Sequence, residues 1–245
     1  MIAMSNARRK PPADYSAAVI TDAAPDTARD AASAPVTLTD HLQTMQAYGA
    51  RQHYRANDAI FNQGDSAGQV YKILDGTVRL CRHMRDGRRH ILDFLLPGDV
   101  IGFVESPDQP ASAEAVTDVS LIAFPRVCFD RLARENADAR KQLLCHMSQN
   151  LQSAQQHLFV VSCQKAQERV ASFLLRLADR LDVMNGDRMT MAMSRQDIAD
   201  HLGLTIETIS RSITALRSAG LLLIPNAHQV MIRDTAALRV LAAGG

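Results

Sequence analysis

The stretch from Ser194 to Leu223, SRQDIADHLGLTIETISRSITALRSAGLLL, reads as two short helices joined by a tight turn. Ser194 and Asp197 have the spacing of a capping box, in which each side chain satisfies a backbone N–H that would otherwise be orphaned at a helix start. Ile198, His201 and Leu202 at i, i+3 and i+4 give that helix a buried stripe, and Gly203 supplies a left-handed residue on which it can stop. Thr205 then caps a second helix in which Ile206, Ile209, Ile213 and Leu216 recur in steps of 3, 4 and 3 and are expected to face inward. Glu207, Ser210, Arg211 and Thr214 are left on another face, and Gly220 ends the helix.

Glu207, Ser210 and Arg211 suit a helix laid in a DNA major groove. Arginine bonds bidentately to guanine, glutamate accepts from the cytosine amine, and serine serves either partner. Downstream, Leu221 to Ile224, Pro225-Asn226-Ala227 and Gln229 to Arg233 read as strand, turn, strand, the wing of a winged helix. The competing account is an amphipathic helix pair with a solvated charged face. The cap, the turn glycine and the buried stripe together argue against it.

The chain has 245 residues, 47% of them hydrophobic, enough for two domains with real cores. No apolar run approaches the length of a membrane span and no leader peptide is apparent, so a soluble cytoplasmic protein without a membrane partner is expected. A net charge of +1 gives no general signal for polyanions. From Lys165 to Gly245 there are ten Lys or Arg and eight Asp or Glu, a local excess of +2 that supports DNA binding only weakly. Cys81, Cys128, Cys145 and Cys163 form no CxxC pair and read as free thiols, with no metal site expected. An enzyme would need a nucleophile, a base and an orienting group at one site, and no such motif, phosphate loop or metal triad is found. An effector-gated binding module without a transcriptional role is opposed only by the reading helix.

Residues 1–36 are rich in Ala, Asp, Pro and Ser without apolar periodicity, and a disordered tail is expected there, with a basic ARRK at 7–10. A brief helix is plausible from Val36 to Gly49. Between Gln52 and Pro125, glycine turns at Gln63-Gly64-Asp65, Asp75-Gly76, Asp86-Gly87 and Pro97-Gly98-Asp99 separate β-rich stretches, the pattern of a small antiparallel barrel or jelly roll. Val70, Ile73, Leu74, Val78, Leu80, Ile91, Phe94, Leu95 and Ile101 are its expected core, and Ala113 to Phe124 its closing strands. After Pro125, Leu144, Met147, Leu151, Ala154, Leu158 and Val161 recur in steps of 3, 4, 3, 4 and 3, an a/d seam suited to two helices side by side. A homodimer is expected, since no charge sits in the seam; the other reading is a helix packed on its own barrel. Gln164 to Val183 carries Val170, Phe173, Leu174 and Leu177 on one face, as the first helix of the C-terminal domain. The class is α+β, with boundaries at 1–36, 37–135, 136–162 and 163–245.

Barrel, dimer helix and winged helix-turn-helix in that order resemble the CRP/FNR family of bacterial transcription regulators, over about residues 40 to 240. Leu202-Gly-Leu-Thr-Ile-Glu-Thr-Ile-Ser-Arg211, Ala166-Gln-Glu-Arg169 and the Leu95-Leu-Pro-Gly-Asp99 turn carry the resemblance. It implies that the N-terminal domain is a cyclic-nucleotide-binding-like jelly roll. Glu207, Ser210 and Arg211 match the base-reading motif of the FNR and FixK branch, whose targets resemble a TTGAT-N4-ATCAA palindrome. Ser194, Arg195, Gln196, Thr205 and Thr208 would lie near phosphates, fixing register without reading sequence.

Two departures bear on the signal sensed. FNR holds an iron–sulfur cluster through N-terminal cysteines and one in the barrel, but residues 1–50 contain no Cys, and Ile122 falls at the barrel ligand. At the positions where the family's cAMP pocket has a Glu and an Arg-Ser pair, this chain has Phe103 and Ala111-Ser112, so the phosphate has lost its cation. No cluster, cyclic nucleotide or other cofactor is therefore expected. The resemblance implies a FixK-like regulator that works with RNA polymerase to activate microaerobic, denitrification or nitrogen-fixation genes. A haem or nitric-oxide sensor and a thiol sensor stay open as alternatives. For haem, Cys81 with His83, or Cys145 with His146, would be the ligands; for a thiol switch, Cys163 beside Lys165 is the candidate.

Overall fold

The computed structural model describes residues 49–183, 186–226 and 228–245. The expected tail at 1–36 and nearly all of the expected helix to Gly49 lie outside these residues. Eight strands, β1 (Ala50–Tyr54), β2 (Ala59–Phe61), β3 (Gln69–Asp75), β4 (Val78–His83), β5 (Arg89–Leu95), β6 (Val100–Ile101), β7 (Ser112–Ala115) and β8 (Val119–Pro125), form two antiparallel four-stranded sheets. Their orders are β1-β8-β3-β6 and β2-β7-β4-β5, a jelly roll.

All four expected turn glycines have positive φ. At Gly76 a side chain is impossible, because a Cβ would lie 2.2 Å from the Asp118 carbonyl oxygen. Between the sheets, Phe61, Tyr71, Ile73, Val78, Ile101, Ala113, Ala115, Val119 and Leu121 form the barrel core. Phe129, from helix α1 (Arg126–Glu135), closes a second cluster with Val70, Val100, Ile122 and Phe124.

Four expected core residues belong elsewhere. Val70 and Leu74 join the second cluster under Phe129, and Ile91 and Phe94, both buried, sit on the outside of the barrel in a cluster with Cys81, Leu96, Phe173, Ile198 and Leu202. Ile91 and Phe94 are three residues apart and share that face only because the β4–β5 register shifts between the Leu80–Asp93 and Cys81–Ile91 pairs, a bulge that simple alternation does not anticipate.

Helix α2 (Ala137–Cys163) is 27 residues long, and Asn136 caps it by accepting from the Ala139 N–H. Only Ala139 and Val160 are buried along it, while Leu144, Met147, Leu151 and Leu158 stand exposed. Helices α3 (Ala166–Arg180), α4 (Arg195–Leu202), α5 (Ile206–Ser218) and α6 (Thr235–Ala242) build the C-terminal domain with a small sheet. In that sheet β10 (Leu222–Asn226) and β11 (Gln229–Ile232) form the expected wing. A third strand, β9 (Arg188–Thr190), pairs with β11 and was not foreseen, nor was α6.

Candidate nucleic-acid interface

Local chemistry fixes the helix-turn-helix. Ser194 Oγ accepts from the Asp197 N–H at 3.1 Å, while Asp197 Oδ2 accepts from the Ser194 N–H at 3.1 Å, so the capping box is complete. Gly203 adopts φ 63° and ψ 40° and ends α4. Arg169 on α3 donates to the Leu202 carbonyl at 3.0 Å and to the Gln164 carbonyl at 2.9 Å. It thus ties the end of α4 to the end of α2, a role that accounts for the Ala166–Arg169 motif. Ile198, His201, Leu202, Ile209, Ile213 and Leu216 are all buried, as their spacing predicts. Ile206 corrects the inward stripe: at the first position of α5 it is 38% exposed.

Glu207, Ser210, Arg211 and Thr214 all lie exposed on α5. The Glu207 carboxyl is held below the usual range, first by its own backbone N–H at the helix start, then by the Thr205 hydroxyl, with Arg211 adding to it. It is therefore an ionised acceptor at neutral pH. Arg211 Nη2 leans on Thr208 Oγ1 at 3.4 Å, keeping the guanidinium over the same face.

The expected phosphate contacts are less uniform. Thr205 Oγ1 accepts from the Thr208 N–H at 3.2 Å, as a cap should. The Ser194 hydroxyl is already given to Asp197, and Gln196 donates to Asp200 at 2.7 Å. Arg195 is half-buried; its Nη1 is shut away from solvent without a hydrogen-bond partner among the described residues, and burial pushes its pKa down.

The reading domain is fastened to the barrel by residues that local patterning does not single out. Arg89 on β5 donates to Asp197 at 2.6 Å and to Asp200 at 2.7 Å. Arg79 on β4 donates to Glu114 at 2.7 Å and reaches Asp197 at 3.4 Å. His201 is fully buried, with Nδ1 3.0 Å from the Ile91 carbonyl oxygen and Nε2 2.8 Å from Arg176 Nη2. The two contacts fix its tautomer: Nδ1–H donates and Nε2 accepts. Burial, with His157 stacked on it at 4.1 Å and Arg176 beside it, pushes its pKa well below the usual histidine value. Arg180 completes the contact through Asp99, at the end of the Leu95–Asp99 turn, and through the Phe94 carbonyl. The partners that join the two domains are 81 to 118 residues apart, and no local motif announces them.

Of the cysteines, Cys163 is exposed, 3.5 Å from Ser162 Oγ, while Lys165 turns its ammonium toward Glu168 at 3.9 Å. Cys145 and His146 are both exposed on α2, where His146 contacts Asn150. Cys81 is wholly buried; burial, with Glu114 beside it, pushes its thiol up to about 12. In the barrel, Ile122 is a packed core residue, Phe103 rests against Phe129, and Ser112 Oγ accepts from the Gln63 N–H at 2.9 Å.

A jelly-roll barrel joined by a long helix to a capped, winged helix-turn-helix defines a DNA-binding transcription regulator. The cyclic nucleotide-binding domain family matches residues 51–136, and the Crp-like helix-turn-helix domain family matches residues 168–241. Over 200 residues the chain is 41% identical to the nitrogen fixation regulation protein FixK of Azorhizobium caulinodans, covering 80% of this chain and 81% of that one. It is 38% identical over 204 residues to the protein of the same name from Rhizobium meliloti, covering 82% and 92%. The solved structure of FixK2 from Bradyrhizobium japonicum superposes with a TM-score of 0.75 at 34% identity, over 79% of this chain and 96% of that one. The chain belongs to the CRP/FNR family of transcription regulators, and it is FixK-like within it. Among the described residues no helix is long and apolar enough to cross a membrane.

Proposed function

We propose that the protein acts as a homodimer that reads a TTGAT-N4-ATCAA-type palindrome and, with RNA polymerase, activates genes of microaerobic respiration, denitrification or nitrogen fixation. The observation that carries this is the exposed Glu207, Ser210 and Arg211 set on α5, held by a complete cap and a left-handed turn, in a chain whose curated relatives include FixK proteins. The α2 seam of Leu144, Met147, Leu151, Ala154, Leu158 and Val161 pairs two copies. This places their reading helices about 34 Å apart, one DNA turn, so that each enters a successive major groove. Arg211 takes a guanine, Glu207 a cytosine amine, and Ser210 an adjacent edge. Arg195, Thr205 and Thr208 meet the phosphates, with Ser194 and Gln196 following once the duplex competes for their present partners.

The barrel works without an iron–sulfur cluster or cAMP. Ile122 offers no thiolate, and the Ser112 hydroxyl is spent on the Gln63 backbone with no arginine beside it. The cytoplasm is the compartment this function requires.

Selection of binding sites from random duplex DNA with purified protein tests the reading, and an inverted TTGAT repeat is the expected product. Arg211→Ala should cost about 1–3 kcal/mol per half-site and relax base choice there, whereas Arg195→Ala should weaken all sequences alike and reduce the salt slope. Equal loss on specific and random DNA for Arg211→Ala would contradict the assignment.

A further inference from the structure

We propose that Cys81, His83 and Glu114 form a binding site for a divalent transition-metal ion of the zinc type on the outer face of the barrel. Residues 79, 81 and 83 of β4 share that face by strand alternation, and β7 pairs Glu114 directly opposite Arg79. Cys81 Sγ lies 3.6 Å from His83 Nε2, and the same nitrogen lies 2.9 Å from Glu114 Oε1. All three donor atoms fall within 4.8 Å of one another.

Two of these separations compare directly with the edges of a tetrahedral site. With metal–sulfur and metal–nitrogen bonds of about 2.3 and 2.0–2.1 Å, the sulfur–nitrogen edge is about 3.6 Å, matching the observed separation. A nitrogen–oxygen edge of about 3.4 Å would require His83 and Glu114 to part by only about 0.5 Å. The exposed His83 side chain can make that adjustment and provides the way in, since it is 52% accessible while Cys81 is buried beneath it.

The surroundings support the same ligand set. Arg79 Nε holds Glu114 Oε2 at 2.7 Å, which fixes the carboxylate and leaves Oε1 toward the histidine, as a metal site's outer shell does. One thiolate and one carboxylate match the double charge of the ion, with the Arg79 cation shared between Glu114 and Asp197. The thiol gives up its proton to solvent as the sulfur–metal bond forms, and a water fills the fourth position.

Thiolate, imidazole and carboxylate together select a borderline ion over a hard one such as magnesium. The geometry also separates this site from a haem. A porphyrin leaves only the two opposite axial positions for protein ligands, whereas Cys81 and His83 approach one point from the same side.

The experiment is titration of the metal-free full-length protein with Co2+, read by its absorption spectrum, with Zn2+ in competition. One equivalent per chain is expected, with a sulfur-to-cobalt charge-transfer band that Zn2+ abolishes. His83→Ala, an exposed change that leaves every thiol in place, should weaken binding about tenfold or more, and Cys81→Ser should remove the band. No charge-transfer band in the folded protein, or a band of unchanged strength and affinity in His83→Ala, overturns the proposal.

Discussion

Replacing Leu151 by alanine tests the seam on α2 most directly. In a single chain Leu151 is 61% exposed, so its truncation leaves no internal cavity and should barely alter the fold of one copy. In a paired seam that exposed portion is what the second copy covers. Leucine to alanine removes three carbons at about 0.8 kcal/mol each when fully buried, so burial of the exposed fraction is worth about 1.5 kcal/mol per copy. A symmetric dimer contains the change twice, giving about 3 kcal/mol, or a dissociation constant raised roughly a hundredfold or more. Equilibrium sedimentation over a dilution series measures this, with thermal melting as the control that each chain stays folded. A wild-type protein that is monomeric at micromolar concentration, or a variant with an unchanged dissociation constant, refutes the reasoning.

Gly203→Ala probes the turn. The added Cβ meets nothing nearer than Arg169 Nη1 at 3.9 Å, so the cost is the left-handed backbone alone, about 1–2 kcal/mol. The melting temperature should drop by about 2–4 °C per kcal/mol, and an unchanged value in calorimetry would exclude a strained turn. His201 probes the contact with the barrel. Its folded pKa is depressed, so the unfolded chain takes up the proton first; the folded state keeps its full advantage above the unfolded value of about 6.5 and loses it as the pH falls below that. Chemical denaturation should show this loss at up to about 1.4 kcal/mol per pH unit, with a shallower dependence in His201→Gln; superimposable pH profiles for the two proteins would remove His201 as the cause.

What could be read from the sequence was whatever is local. The Ser194 and Asp197 cap, Gly203, Thr205 and the apolar spacing of α4 and α5 are all decided within four residues of chain. The turn glycines of the barrel were legible for the same reason. Ile206 failed because spacing gives the angle around a helix and says nothing of whether a neighbour covers that angle at the first turn.

Ile91 and Phe94 failed because a register shift in the β4–β5 pairing turns both to the outer face, and an outer face can be as apolar as an inner one once another domain covers it. The arginines at 79 and 89, and the acids at 114, 197 and 200 that hold them, could not be paired from sequence, since only the folded chain brings β4, β5, β7 and α4 together. At Cys81, strand alternation made the pairing with His83 legible, whereas Glu114 comes from β7 and only the folded sheet brings it there.

Asp197 serves two structures through two different atoms. Its Oδ2 completes the cap of α4 with Ser194, while its Oδ1 faces the guanidinium groups of Arg89 and Arg79. Lifting the winged domain away from the barrel would strip Oδ1 of its cations and leave Oδ2 where it is. The helix would keep its cap while its anchorage let go, although the Asp200, His201 and Arg180 contacts and the apolar cluster around Ile91 and Phe94 would have to open at the same time.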